Sequence, residues 1–258
     1  MRGTWHGDYL FLFENLILKD FRIRYRNMSL GILWSLINPL VMMGVLTFVF
    51  SRVFAQSAAG GPFPLFVLCG LVPYNFFASA FLTGTTSIVD NAGLVKRVPV
   101  PREVIPIASV LSNCVHLLIQ IALLLVLTLA FGLRPGPQWK WLPVVWILYV
   151  IFVCGLALGA SAVNVFIRDT RYIVESFNLV LFWLVPIFYS FNIIPKKYVE
   201  IYQFNPVAAL VMASRNILME QTRPATSLMV NMLMAASLSM ALGILIFRWL
   251  KPRFYEHI

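Results

Sequence analysis

The sequence predicts an all-α integral membrane protein with six transmembrane helices, an N-terminal amphipathic interface helix, and short re-entrant or interfacial helices after the fifth span. Three observations carry that expectation. Of 258 residues, 60% are hydrophobic and 12% charged, about half the charged share of a soluble domain. Mean hydropathy is +0.83, which leaves too little polar surface to cover a globule in water. The apolar residues also fall into six separate runs, each able to cross a hydrocarbon core of ~30 Å at ~1.5 Å per residue. The expected organisation is a single membrane domain over 1–258. It comprises an interfacial N-terminal part (1–32), a six-span part (33–250) and a short tail (251–258).

The first element is YLFLFENLILKDFRIRYR, Tyr9 to Arg26. Asn15, Lys19, Arg22 and Arg26 recur at helical spacing on one face, while Leu10, Phe13, Ile17 and Phe21 share another. A helix of that pattern lies in the membrane interface with its basic side in water. Glu14, Lys19 and Asp20 interrupt its apolar residues, so no cleavable signal peptide is expected. The six runs that follow are Leu33–Phe54, Leu65–Val89, Val104–Phe131, Leu142–Ile167, Val174–Ile194 and Thr226–Phe247. Pro39, Pro73, Pro106 and Pro186 fall near span ends, where a lost hydrogen bond costs least or a kink is made. Gly155 and Gly159 make a small-xxx-small pair in the fourth run, the pattern of close helix approach.

Lysines and arginines set the expected orientation. With the N-terminus inside, the inner segments hold Arg2, Lys19, Arg22, Arg24, Arg26, Lys96, Arg97, Arg102, Arg168, Arg171, Arg248, Lys251 and Arg253. The outer segments hold Arg52, Arg134, Lys140, Lys196, Lys197, Arg215 and Arg223. Both termini are therefore expected in the cytoplasm, which an even number of spans also requires. The net charge of +10 then reads as topology and contact with anionic lipid, not as nucleic-acid binding. After the fifth run, PVAALVMASRNILME is apolar but only half a span long, and Asn205-Pro206 reads as the turn that starts it. Such a piece suits a re-entrant or interfacial helix at the outer mouth.

Chemistry-bearing motifs are sparse. There is no Gly-x4-Gly-Lys-[Ser/Thr], no His-Glu-x-x-His and no nucleophile elbow. No catalytic residue, metal ligand or cofactor is expected. Cys69, Cys114 and Cys154 lie singly in apolar runs and read as small hydrophobes. His116, alone in mid-span, reads as a packing residue partnered by Asn113 or Gln120, with a proton relay as the alternative. Asp90, Glu103, Asp169 and Glu175 sit at span ends and none is central. Ion-coupled transport usually needs an intramembrane carboxylate or an unwound helix, so any transport here draws its energy from another protein. The aromatics Tyr74, Phe77 and Phe81 of the second run, with Trp183, Phe188 and Tyr189 of the fifth, suit a slide for the C–H faces of sugar rings. They equally suit a lipid-facing belt or a packed core.

The loop NAGLVKRVPVPREVIP, Asn91 to Pro106, is short, rigid, basic and apolar together. Prolines restrict its backbone and lower the entropy lost when a partner docks. With KDFRIRYRNMSLGILWSLINPL, GLVPYNFF, NVFIRDTRY and FNPVAALVMASRNILM, this loop makes the chain resemble the permease subunits of type-two ABC exporters almost end to end. The likeness is to those that export lipid-linked O antigens, capsule polymers and teichoic acids. Val100 departs from the pattern, since many relatives carry an aromatic residue there. The resemblance implies a homodimer in the bacterial inner membrane with two separate ATP-binding subunits below it. It also implies that the ATPase docks on Arg22, Arg24 and Arg26 of the first helix and on Leu94, Val95, Lys96, Arg97, Pro101 and Arg102 of the loop. The expected substrate is a lipid-linked polysaccharide moved from cytoplasm to periplasm. A small-molecule or drug permease of the same group is the alternative, and a membrane-embedded polyprenyl-phosphate transferase a more distant one.

Overall fold

The computed structural model describes residues 8–26, 29–54, 61–97, 100–191, 195, 197, 202 and 204–256. Arg2, His6, Pro99, Lys196 and His257 lie outside the described residues, as does the side chain of Arg24. Among the described residues all regular structure is helical. The helices are α1 (Tyr9–Tyr25), α2 (Trp34–Thr47), α3 (Phe63–Asp90), α4 (Ala92–Arg97), α5 (Val104–Ala130), α6 (Leu142–Phe166), α7 (Thr170–Leu184), α8 (Pro206–Leu218) and α9 (Thr226–Leu250). A 3-10 turn leads into α2 and into α6, a wide π turn (Phe48–Val53) extends α2, and a 3-10 turn (Lys251–Glu256) follows α9. With these extensions, five helices are long and apolar enough to cross a membrane: Gly31–Val53, Phe63–Asp90, Val104–Ala130, Pro137–Phe166 and Thr226–Phe254. The protein is a multi-pass membrane protein.

Helix α3 is the axis of the bundle. It packs on α5, α6, α2, α7 and α8, and Leu65, Val67, Leu68, Cys69, Val72 and Ala80 along it are fully buried. Its 28 residues span ~42 Å, enough to run from one end of the molecule to the other. Helices α6 and α9 share the most extensive helix pair. A methyl group added at Gly155 would fall on the backbone of Ser239 and Met240, and one added at Gly243 on the Gly155 carbonyl. The predicted close approach at Gly155 is therefore real, with the backbones of α6 and α9 in direct contact.

Two ends are distinguished. The basic end carries α1, α4, the α6–α7 turn and the 3-10 tail. There Lys251 pairs with Glu103 at 2.6 Å, and Phe254 is buried against Phe166 and Phe247. Helix α1 starts at Asp8, whose side chain accepts the Leu10 amide at 2.8 Å. It lies on α5 through Leu16, with Leu12, Phe13 and Ile17 against Val104, Ala108 and Leu94. Leu10, Phe11 and Ile23 remain exposed, as an interface helix with an apolar edge requires.

The far end departs from the simplest reading of the fifth apolar run. Helix α7 begins at Thr170 rather than Val174 and stops at Leu184. Its 15 residues cover ~22 Å, less than a hydrocarbon core. Pro186 is the cause: it cannot donate to the helix, and it holds Val185 in the extended region at ψ 136. Pro39 and Pro73, by contrast, sit inside α2 and α3 without ending them. At Pro39 the neighbours explain it. The ring leaves the Ser35 carbonyl without its helical donor, and Gln120 of α5 supplies one at 3.3 Å.

Candidate functional site

Three places bear on function. The first is the set of residues at the basic end expected to meet an ATP-binding partner. Arg22, Arg26, Lys96 and Arg97 are exposed. Leu94 and Pro101 are half-buried, Leu94 against α1. Val95 is buried with Ile88, Ile105 and Phe254, since α4 is a short helix of six residues pressed against the bundle. Arg102 also turns inward: its guanidinium donates to the Lys251 carbonyl at 3.1 Å and lies over the Phe254 ring. The loop is thus clamped to the C-terminal turn by inward groups, and it presents Lys96 and Arg97 outward.

The second place is the far-end aromatic assembly. Tyr74 is buried and donates to the Asn178 carbonyl at 2.5 Å, while the Asn178 amide donates to the Ala78 carbonyl at 3.2 Å, clasping α3 to α7. Phe188 stacks on Phe50 at 4.5 Å and meets Phe182, Trp183 and Tyr189 edge-on or tilted. The Tyr189 hydroxyl donates to the Leu184 carbonyl at 3.0 Å. Phe77 and Phe81 belong to a separate stack at the α3–α6 contact, with Tyr149 and Phe152 beside Phe77. Of the six aromatics singled out from sequence, Trp183 is the exposed one, at 59%.

Above this assembly sits a feature that sequence reasoning assigned only to the outer charges. Helix α8 starts where Asn205-Pro206 predicts, with the Asn205 side chain accepting the Val207 amide at 3.0 Å. It carries Arg215 into the interior. The guanidinium donates to the Ile187 carbonyl at 2.7 Å and the Phe66 carbonyl at 3.2 Å, and lies 3.4 Å over the Phe66 ring. Burial pushes its pKa down, but an arginine is basic enough to keep its proton. No carboxylate pairs with it among the described residues. The Ile187 carbonyl is available because Pro186 has broken α7. The break itself rests on Gly70 of α3, where an added methyl would come within 2.8 Å of the Ile187 Cα. One cation therefore joins α8, the broken end of α7 and the first turn of α3. The signal in the sequence was a lone arginine in an otherwise apolar half-span.

The third place is a polar stripe between α3 and α5, reaching from the basic end toward mid-bundle. Two cavities lie along it. The farther, of about 470 Å³, is lined by Tyr25, Ser35, Asn38, Asn75, Ser79 and Gln120 among others. The nearer, of about 440 Å³, is lined by Lys19, Asp20, Thr83, Ser87, Asp90 and Ser109 among others. The Asn113 amide donates to the Thr83 hydroxyl at 2.9 Å across the stripe. His116, expected to pair with Asn113 or Gln120, meets the Tyr25 hydroxyl and, at 3.0 Å, the Ser35 hydroxyl. Tyr25 and Ser35 are 2.6 Å apart. That node ties the last turn of α1 and the first turn of α2 to the middle of α5. Lys19 of α1 reaches the Asn91 side chain at the end of α3.

The geometry describes a multi-pass bundle with a basic surface at one end, a locked half-span at the other, and no metal-ligating cluster among the described residues. Comparison with known proteins points the same way. The model of the ABC-2 type transporter family matches residues 12–219. An O-antigen export system permease protein RfbA of Klebsiella pneumoniae is 31% identical over 95% of both chains. The RfbA protein of Myxococcus xanthus is 29% identical over 84% of both. A polysialic acid transport protein KpsM of Escherichia coli is 26% identical over 80% of both.

Proposed function

This chain belongs to the ABC-2 type transporter family, and from that premise we propose that it is the permease subunit of an ATP-driven polysaccharide exporter. Its cargo is a lipid-linked polysaccharide of the O-antigen kind, carried from cytoplasm to periplasm across the bacterial inner membrane. The observation that carries this reading is the likeness to O-antigen export permeases over 95% of both chains. The working unit is a homodimer joined to two copies of a separate ATP-binding subunit, which supplies the hydrolysis. The basic end faces the cytoplasm with both termini, in keeping with the positive-inside rule. The ATPase docks on the exposed cations Arg22, Arg26, Lys96 and Arg97, with Arg24 beside them in sequence. Leu94, Val95, Pro101 and Arg102 hold that surface in shape.

Closure of the ATPase pair presses on α1 and the α4 loop. Through the Tyr25–Ser35–His116 node that push reaches α2 and α5, shifting a population between closed and open bundles. Tyr74, Phe188 and Tyr189 shape the far mouth, Phe77 and Phe81 back it from the core, and Trp183 presents its face to the passing chain. The test is genetic. A strain lacking this chain should lose surface polysaccharide and regain it on complementation. Deletion of 94–101 should leave membrane insertion intact and abolish co-purification of the ATP-binding subunit. Surface glycan unchanged by loss of the chain would sink the export reading, and co-purification unchanged by the deletion would sink the docking surface.

A further inference from the structure

The polar stripe between α3 and α5 is more than the sparse helix–helix hydrogen bonding of a membrane bundle. On α3, Asn75, Ser79, Thr83 and Ser87 follow at steps of four, one above another on a single helical face. On α5, Ser109, Ser112, Asn113, His116 and Gln120 recur at steps of three and four. Polar side chains at membrane depth face the bundle interior or a water-filled cavity, because hydrocarbon offers them no partners. Many of these are anchored to their own helix: Thr83 donates to Ser79, Ser87 to Gly84, Ser112 to Ser109 and Asn113 to Ser109. A hydroxyl anchored in that way keeps acceptor capacity for a ligand.

The chemistry of the lining identifies the ligand class. Among the described residues no Asp, Glu, Lys or Arg lines the farther cavity, which offers four amides, hydroxyls, the His116 imidazole and the rings of Trp34 and Phe76. Amides and hydroxyls both donate and accept, which matches a ligand whose groups do the same. A carboxylate or phosphate there would meet no permanent cation among the described residues, the His116 ring being held by the Tyr25 and Ser35 hydroxyls. Among the described residues the permanent charges along the stripe, Lys19, Asp20 and Asp90, line the nearer cavity at the basic end. Both volumes fall within the range of small-molecule sites, roughly 300–1,000 Å³. The Asn113–Thr83 bridge lies between them, Asn113 lining the farther cavity and Thr83 the nearer.

We propose that the stripe is a binding groove for a neutral, hydroxyl-rich glycan chain, entered at the Lys19–Asp90 mouth and closed at rest by the Asn113–Thr83 bridge. The proposal rests on the export reading and deepens it. It places the sugar against polar faces of α3 and α5 before it reaches the far-end aromatics, and it favours uncharged over acidic polymers.

A photoreactive benzophenone side chain at Ser79, which is exposed in the farther cavity, tests it. The control position is Leu118, exposed on α5 outside both cavities. Membrane vesicles holding the full chain and its ATP-binding subunit are loaded with undecaprenyl-linked mannan, a neutral mannose polymer, and irradiated. Mannan should attach at Ser79 on the order of tenfold more than at Leu118, the margin of a site favoured by ~1.4 kcal/mol. Polysialic acid, an acidic polymer, should attach at background level. Equal labelling at the two positions, adducts with phospholipid tails instead of sugar, or stronger labelling by polysialic acid each overturn the groove. Complementation of export by the unsubstituted chain separates the two readings. Restored export without Ser79 labelling removes the groove alone, and failure to restore export removes both.

Discussion

The two ends of α3 are held by opposite means. At the far end, Phe66 and Gly70 are locked by apolar and aromatic packing and by one buried cation, Arg215. Toward the basic end, Asn75, Ser79, Thr83 and Ser87 are flanked by cavities and neutral hydrogen bonds. Close packing resists any change of volume, so the far end is suited to staying shut until a whole element moves. Small polar groups beside open space exchange partners at little cost, so the stripe is suited to contacts that form and break. The difference teaches that this bundle separates sealing from contact along a single helix.

The largest way to break the comparison is at the lock. Arg215→Met leaves the Ile187 carbonyl in an apolar interior without a donor, while the Phe66 carbonyl keeps its helical donor, the Gly70 amide. An orphaned carbonyl of that kind costs about 2 kcal/mol. In detergent it should appear as a lower thermal midpoint and as faster cleavage between α7 and α8. Arg215→Lys should recover only part, because an ammonium lacks the planar fork. A variant as stable as the parent would show that packing alone holds α8 in place.

A smaller effect sharpens the other side. Gln120→Leu removes the donor that satisfies the Ser35 carbonyl beside Pro39, at a cost of about 1 kcal/mol. Pro39→Ala restores the helical donor, so the double variant should be less destabilised than the two single changes predict. Additive losses in a thermal-shift cycle would mean that Gln120 does not serve the proline.

The smallest effect lies outside both regions. Arg171 and Glu175 form an exposed pair at 2.9 Å, one turn apart on α7. Glu175 raises the Arg171 pKa, yet solvent screens such pairs. Arg171→Ala should leave the thermal midpoint unchanged, and a measurable drop would mean that the α6–α7 turn matters more than its exposure indicates.

Much of the fold was legible because it depends on composition and period. The five long spans, the interface helix and the Asn205-Pro206 start of α8 follow from apolar length, helical spacing and capping chemistry. The short α7 was not legible from hydropathy, since Val185 to Ile187 is as apolar as what precedes it. Only the proline marked the break, and Pro39 and Pro73 show that a proline alone does not decide. The surroundings of the singled-out residues were not legible. The six aromatics were grouped by position along the chain, whereas the structure divides them between two stacks. Arg215 was counted as an outer charge, and its burial depends on carbonyls contributed by α3 and α7.

By itself the sequence determined the solvent, the helical class and the basic end of this protein, because transfer energy and helix period are local properties that add along a chain. Tertiary structure alone decided which proline breaks a helix, which aromatics are buried and that the polar residues of α3 and α5 line one stripe. Each of these turns on a partner distant in the chain: Gln120 for Ser35, Gly70 and Arg215 for Ile187, and Asn113 for Thr83. A hydrogen bond or a close backbone approach has a direction and two ends, and only the folded bundle brings the second end into place.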